Sequence, residues 1–427
     1  MATIDLKGTV ATPRTTAWTM VALLFGAQTL NYFDKTVLGI AAPAIMAELG
    51  LDARQYGLVA SSFFSLYAVT GLAVAFLAAP RVRPRFIMAA LLLVWAVSQF
   101  PIVFAASFGT LVLCRVVLGM GEGAGVPTAI NACHEWFALE ERATPTAWVL
   151  FGSQAGSLLA APSLSYLVAS FGWRSAFLAC GLMGVALLAL WTSLSRDGPY
   201  SALAAVHRAP AAPSGITQRD IWTDRSVIGC AIVGFGSYWV VGFAIAWLPL
   251  FAREKLALGT VGTGWALAAA YVAQAIIQLS ISFLAQRNLR RGVPARKALG
   301  WAMAACMIGG AGAFVAGALV HEPVLAYALV VVGSALPLAI FTIGATMLGG
   351  ISPDDHRNRL ITIIFSVVTL AAIPSPMITG FLVSSDPVNG WSHALIAVAA
   401  IAGAAGVVAL LSIHPERSVA RFARLAR

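Results

Sequence analysis

Cys114-Arg-Val-Val-Leu-Gly-Met-Gly-Glu-Gly-Ala-Gly-Val-Pro127 sits in the middle of an apolar run and carries two full charges, Arg115 and Glu122. Seven residues separate them, two helical turns, so both lie on one face of one helix. Gly119, Gly121, Gly123 and Gly125 surround them and let a second helix approach the backbone closely. A charge at the centre of a bilayer costs at least ~2.5–3.5 kcal/mol. Two such charges persist in an apolar helix when they face protein or water, and they read as a functional site in preference to a structural ion pair.

The rest of the chain supports a membrane reading. Of 427 residues, 59% are hydrophobic and only 10% are charged, with a mean hydropathy of +0.85; soluble domains are about 25% charged. Twelve stretches can cross a hydrocarbon core of ~30 Å as helices. They run approximately over 17–45, 56–79, 86–106, 108–131, 144–169, 174–195, 226–251, 261–286, 296–318, 323–349, 359–383 and 391–413. The longest polar gap, 196–225, divides them six to six. The expected fold is therefore an all-α membrane protein of twelve transmembrane helices. It has an N-terminal six-helix bundle over 1–195, a cytoplasmic linker over 196–225 and a C-terminal six-helix bundle over 226–427, arranged around a central cavity.

Orientation follows from the positive charges in the loops. With the N-terminus inside, the outer loops hold only Arg54, Arg174, Arg253 and Lys255, and the spans hold Lys35 and Arg115. All the other Lys and Arg fall on the cytoplasmic side. Both termini are thus expected inside a cell (inner) membrane, and the net charge of +10 is explained without nucleic acid. The first apolar run continues past Asp34 and Lys35 without a cleavage site, so it reads as a retained span. Cys114, Cys133, Cys180, Cys230 and Cys306 have no paired spacing and read as small buried hydrophobes. No Gly-rich phosphate loop, nucleophile elbow or metal-ligand cluster occurs, so neither an enzyme nor an ATP motor is expected. The basic loops Arg81-Val-Arg-Pro-Arg85 and Arg287-Asn-Leu-Arg-Arg291 hold matching places in the two halves and suggest parallel repeats.

Five stretches resemble the major facilitator superfamily and, within it, the anion:cation symporters that carry sialic acid, galactonate, tartrate and phthalate. Asn31-Tyr-Phe-Asp-Lys35 is similar to the family's N-Y-x-D-R. Arg115-x-x-x-Gly119-x-x-Glu122-Gly123 resembles its R-x-x-x-G-x-x-E-G. Trp136-Phe-Ala-Leu-Glu-Glu-Arg142 resembles its W-F-P-x-x-E-R loop, Gly172-Trp-Arg-Ser-Ala-Phe177 its G-W-R-x-x-F, and Trp247-Leu-Pro249 its W-L-P. There are two departures. The superfamily's cytoplasmic G-x-L-x-D-R-x-G-R loop has no Asp here between Gly71 and Arg85, which predicts altered gating. Lys35 stands where the family has Arg, a point charge in place of a bidentate fork.

Asp34, Lys35, Arg115 and Glu122 are the ionisable residues within spans. The cations suit an anionic substrate and the acids suit protons, because burying a carboxylate without its counter-charge favours the neutral form. Asp34 and Glu122 are the expected proton-coupling residues, against a packing role for Asp34 beside Lys35. Lys35, Arg115, Tyr32, Tyr67 and Gln154 are the expected substrate-binding residues of the first half; the last three match family site positions. Tyr238, Trp239, Trp247 and Ser366 are the candidates of the second half, with Tyr271, Gln274 and Gln278 behind them. Pro374, Pro376 and Gly380 are expected to bend the eleventh span.

The resemblance implies proton-coupled import of a small organic anion (a sugar acid, aromatic acid or dicarboxylate) by alternating access. The alternatives are an antiporter or exporter of drugs or exchanged anions, a sodium-coupled carrier, and a sensor on a transporter scaffold. The expected partners are the organic anion, protons and the lipid bilayer. No organic or metal cofactor is expected, only the proton gradient, and the chain is expected to be monomeric.

Overall fold

The computed structural model describes residues 14–104, 107–200 and 215–425. The expected linker 196–225 therefore lies partly outside the described residues. Every regular element described is helical.

The first half runs through α1 (Arg14–Leu49), α2 (Ala53–Ser62), α3 (Tyr67–Ala73), α4 (Pro84–Phe104), α5 (Phe108–Glu122), α6 (Gly125–His134), α7 (Ala143–Phe171) and α8 (Trp173–Leu194). The second runs through α9 (Gln218–Trp222), α10 (Arg225–Lys255), α11 (Thr260–Arg290), α12 (Trp301–Leu319), α13 (Pro323–Ile351), α14 (Asp354–Val368), α15 (Pro374–Ser385), α16 (Gly390–Ser412) and α17 (Pro415–Leu425).

Ten helical stretches among the described residues are long and apolar enough to cross a membrane. The other two expected spans are α1, of 36 residues, and α7, of 29. Both exceed the ~20 residues a bilayer needs. What lowers their hydropathy is polar content: Gln28, Asn31, Asp34 and Lys35 in α1, and Ser153, Gln154, Ser157, Ser163 and Ser165 in α7.

Three spans are interrupted. The second is α2, then α3, then a wide turn at Val74–Ala78. The fourth changes from α5 to α6 at Gly123–Ala124. The eleventh narrows to a 3₁₀ turn at Thr369–Ala372 and restarts at Pro374, as the prolines predicted. Pro at the first helical position is pre-set for a helix start. Gly380 acts differently from the bend expected of it: a Cβ there would stand 2.4 Å from the Ala53 carbonyl oxygen, so the glycine permits close packing.

The chain divides into two compact units, Met1–Ile45 with Ser65–Ala209, and Met46–Phe64 with Pro210–Arg427. The segment Met46–Phe64 thus packs with helices of the second half. Two glycines explain this, since Gly57 lies against the Pro376 carbonyl as Gly380 does against Ala53. Tyr56 completes the contact by donating to the Ala246 carbonyl at 2.9 Å and meeting Trp247 edge-on, with ring centroids 5.0 Å apart.

The G-W-R-x-x-F motif has a local structural cause. Gly172 ends α7 with φ +83°, a conformation that L side chains rarely adopt. It starts α8, in which Trp173 is buried edge-on to Phe177 and carries the Arg174 guanidinium over its ring.

Candidate functional site

The four span charges fall in the first unit and are all buried. Consecutive helical residues point about 100° apart, and this separates Asp34 from Lys35. Lys35 turns toward α5, where its Nζ lies 3.1 Å from Glu122 Oε2. Its own helix supplies a further acceptor one turn back, Asn31 Oδ1. The Tyr32 and Tyr67 rings lie 5.0 and 5.8 Å from the ammonium, within cation–π range. Asp34 turns instead toward α4, and its Oδ1 accepts from Gln99 Nε2 at 2.7 Å. The alternative role for Asp34, packing beside Lys35, is not what the geometry shows: its side chain meets Gln99 instead. Arg115 donates through Nη1 to the Asp34 main-chain carbonyl at 3.0 Å. Arg115 thus holds the backbone of α1 where the two site residues diverge.

Glycines bring these helices close enough to meet. A Cβ on Gly123 would fall 2.0 Å from the Tyr67 carbonyl oxygen, and one on Gly121 would fall 2.7 Å from Val94. A Cβ on Gly125 would meet the buried Trp95 ring at 3.0 Å. On the other side of α1, Gly152 and Gly156 of α7 would each drive a Cβ into a carbonyl of α1. With α1 held between α5 and α7, a long Lys35 side chain and a shorter Glu122 reach one another in the interior. A buried pair of this kind stays charged only while both members are present.

The structure therefore joins Tyr32, Lys35, Tyr67 and Glu122 in one cluster, with Asp34 and Arg115 next to it. Gln154 is exposed on α7 and makes no hydrogen bond to any described residue. In the second unit, Tyr238 is half-buried with its ring 5.2 Å from that of Phe341. Trp239 is buried, and its carbonyl accepts from Ser375 Oγ at 2.6 Å. Ser366 is half-buried, and its carbonyl accepts from Thr369. Trp247 is fully buried; its only donor, Nε1, is used on the Pro376 carbonyl at 3.0 Å, and its ring packs on Trp391. That geometry makes Trp247 a packing anchor.

Two polar contacts escaped the sequence reading. Gln99 carried the same signal as Arg115, a polar residue inside an apolar run. Asp197 carried none. It follows α8 and pairs with both Arg83 and Arg85, with Arg85 Nε 3.1 Å from Asp197 Oδ1. The basic loop without its own Asp thus has an acid supplied from 114 residues away in sequence. Glu135 stands beside this cluster, its carbonyl accepting from Tyr200 N at 3.0 Å. Burial, and then the Asp197 carboxylate, push the Glu135 carboxyl up to about 7.

A carboxyl raised in the folded state favours folding while it is protonated, and that contribution is lost as pH rises from its ordinary value near 4.5 through about 7. Glu135→Gln stays neutral throughout. Its thermal midpoint in detergent should therefore match the parent's at about pH 5 and exceed it by ~2–4 °C at about pH 8. A constant difference across that range would show that Glu135 does not titrate there.

Arg115→Lys keeps a charge but loses the planar fork, and should lower initial uptake per inserted protein by roughly tenfold or more. Arg115→Ala should leave none. Normal uptake by Arg115→Ala would remove this residue from the working site.

The Major Facilitator Superfamily model matches residues 24–340. Over 407 residues the chain is 25% identical to the probable L-galactonate transporter of Escherichia coli K12, covering 92% of this chain and 88% of that one. It is 25% identical over 242 residues to the hexuronate transporter of Bacillus subtilis, and 32% identical over 181 residues to the probable sulfoacetate transporter of Cupriavidus necator. Those matches span 57% and 42% of the respective relatives. Among solved structures, a bacterial homolog of the human lysosomal transporter Spinster, in its inward-facing and occupied conformation, superposes with a TM-score of 0.74 at 18% identity. The match covers 98% of both chains. The D-xylose-proton symporter gives 0.69 at 15% identity, over 94% of this chain and 99% of that one. At those identities the structural matches speak for the fold, and the family match spans most of the sequence: the chain is a multi-pass membrane transporter that belongs to the major facilitator superfamily.

Proposed function

We propose that this transporter carries a small organic anion inward together with a proton, by alternating access. The observation that carries the proposal is the buried Lys35–Glu122 pair, flanked by Tyr32 and Tyr67. An arriving carboxylate competes with Glu122 for the ammonium. Once displaced, Glu122 faces a low-dielectric interior without its counter-charge, and taking up a proton neutralises it. The site is electrically neutral before and after: ammonium with Glu122 carboxylate, then ammonium with substrate carboxylate and a protonated Glu122. One anion and one proton therefore enter the site as a unit. Arg115 and Asp34 fix α1 so that Lys35 is presented, and Asp34 is a second candidate proton carrier. The relatives named for galactonate, hexuronate and sulfoacetate support a small, hydroxylated or sulfonated carboxylate as cargo.

Labelled galactonate, glucuronate and sulfoacetate should be offered to proteoliposomes with an imposed pH gradient, alkaline inside. Accumulation of at least one acid, collapsed by a protonophore and indifferent to sodium, is the expected result. Accumulation driven only by a sodium gradient, or only by a counter-anion inside, would replace proton symport with a sodium-coupled carrier or an exchanger.

A further inference from the structure

The second unit holds a cavity of about 240 Å³ at the junction of α10, the end of α16 and α17. That is several times one water's share of liquid volume, ~30 Å³. Its floor is a tight polar knot. Asp224 caps α10, its Oδ1 accepting from Ser226 N at 2.9 Å and Val227 N at 3.2 Å. Ser418 of α17 donates to the same oxygen at 2.8 Å, and His414 N donates to Ser226 Oγ at 3.0 Å. The start of α17 is thereby fixed against the start of α10.

The walls are arginine. Arg417, Arg421 and Arg424 follow one another at helical spacing and share one face of α17, and all three line the cavity. Arg225, the first residue of α10, faces them. Like charges one turn apart repel, and Arg225 sits at a helix N-terminus, where the dipole is already positive. Asp224 is a single acid, 3.6 Å from Arg421 Nη1 and already engaged in capping. Glu416 is turned away, its carboxylate accepting from Arg296 N at 2.9 Å. Among the described residues, Arg225 and Arg417 have no ion-pair partner. Four guanidiniums around one committed carboxylate leave a strong net positive charge in a concave space.

We infer that this cavity binds the phosphate group of an anionic phospholipid. Guanidinium forks match phosphate oxygens, and basic pockets at the ends of membrane helices take up lipid headgroups. Placement favours lipid over free phosphate. By the loop-charge reading, the cavity lies at the cytoplasmic ends of α10 and α16, at headgroup depth. Leu411 and Leu425, each next in sequence to a lining residue, are exposed and offer apolar surface for acyl chains. α17, with Phe422 buried, has the pattern of a helix lying in the membrane interface.

The full-length protein, purified after equilibration with equal phosphatidylglycerol and phosphatidylcholine, is released from micelles in a mass spectrometer and its retained lipids are counted. The parent should keep phosphatidylglycerol in preference to phosphatidylcholine. Arg225→Gln with Arg417→Gln removes two exposed guanidiniums without disturbing the knot, and should lower that retention by on the order of tenfold. Arg287→Gln with Arg290→Gln removes equal charge from the last turn of α11 and should leave retention unchanged. Equal retention by the pocket variant, or an equal loss in the α11 variant, overturns the inference. Thermal stabilisation of the parent by inorganic phosphate, lost in the pocket variant and without preference for phosphatidylglycerol, would make the cavity a free-phosphate site and overturn the lipid assignment.

Discussion

Lys35→Met should abolish transport and destabilise the folded transporter by on the order of 3–5 kcal/mol, the range for removing one member of a buried ion pair. The cause is Glu122, which remains buried against glycines with its ammonium gone. Lys35→Met combined with Glu122→Met removes both charges and fills the space with apolar atoms of similar volume. Buried pairs replaced in this way are often neutral or better, so the double variant should recover most of the lost stability while transporting nothing. Thermal midpoints and uptake measured on the four proteins of this cycle give the coupling directly. A double variant as unstable as the sum of its parents would mean that Lys35 and Glu122 do not interact.

Gly123→Ala should be among the most damaging single-methyl changes in the first unit. Its Cβ would stand 2.0 Å from the Tyr67 carbonyl oxygen and 2.9 Å from the carbonyl carbon, so backbone and not a flexible side chain must move. Overpacking of a core costs ~1–3 kcal/mol, occasionally more, and a backbone clash belongs at the upper end. The shift would also move Tyr67 away from Lys35. Gly349→Ala is the control: a Cβ there meets nothing within 4 Å, and it should be neutral. Monodisperse yield and thermal midpoint should separate the two, and a Gly123→Ala protein as stable as Gly349→Ala would contradict the close packing of α5 on α3.

The span count and the four site charges were legible in the sequence for one reason: an apolar chain makes every polar insertion visible. The same signal marked Gln99, but a neutral amide costs less in a membrane than a charge and does not demand a partner as strongly. Which acid Lys35 meets was not legible from spacing. Asp34 is its neighbour in the chain, yet helical geometry points the two side chains apart, and the partner comes from α5, 87 residues on. Asp197 lay beyond reach for a related reason. It sits in a polar stretch full of charges, where one more acid is unremarked, and only the fold brings it to Arg83 and Arg85. Trp247 was read from its type and depth alone. An aromatic within a span suggested a site residue, while the fold satisfies its indole N–H with the Pro376 carbonyl and packs its ring against Tyr56 and Trp391.

On the function proposed above, Glu122 carries the proton that accompanies the anion. A symporter returns only with both cargoes bound or both sites empty, and Glu122→Gln imitates the permanently protonated state. Such a protein can rock back and forth loaded, but it cannot shed the proton and complete a net cycle. The deciding measurement compares pH-driven accumulation with counterflow exchange in the same proteoliposomes, normalised to folded protein. Glu122→Gln is predicted to exchange labelled for unlabelled substrate at a rate near the parent's while accumulating none against a gradient. Accumulation by Glu122→Gln equal to the parent's would contradict the account and leave Glu122 as the structural partner of Lys35.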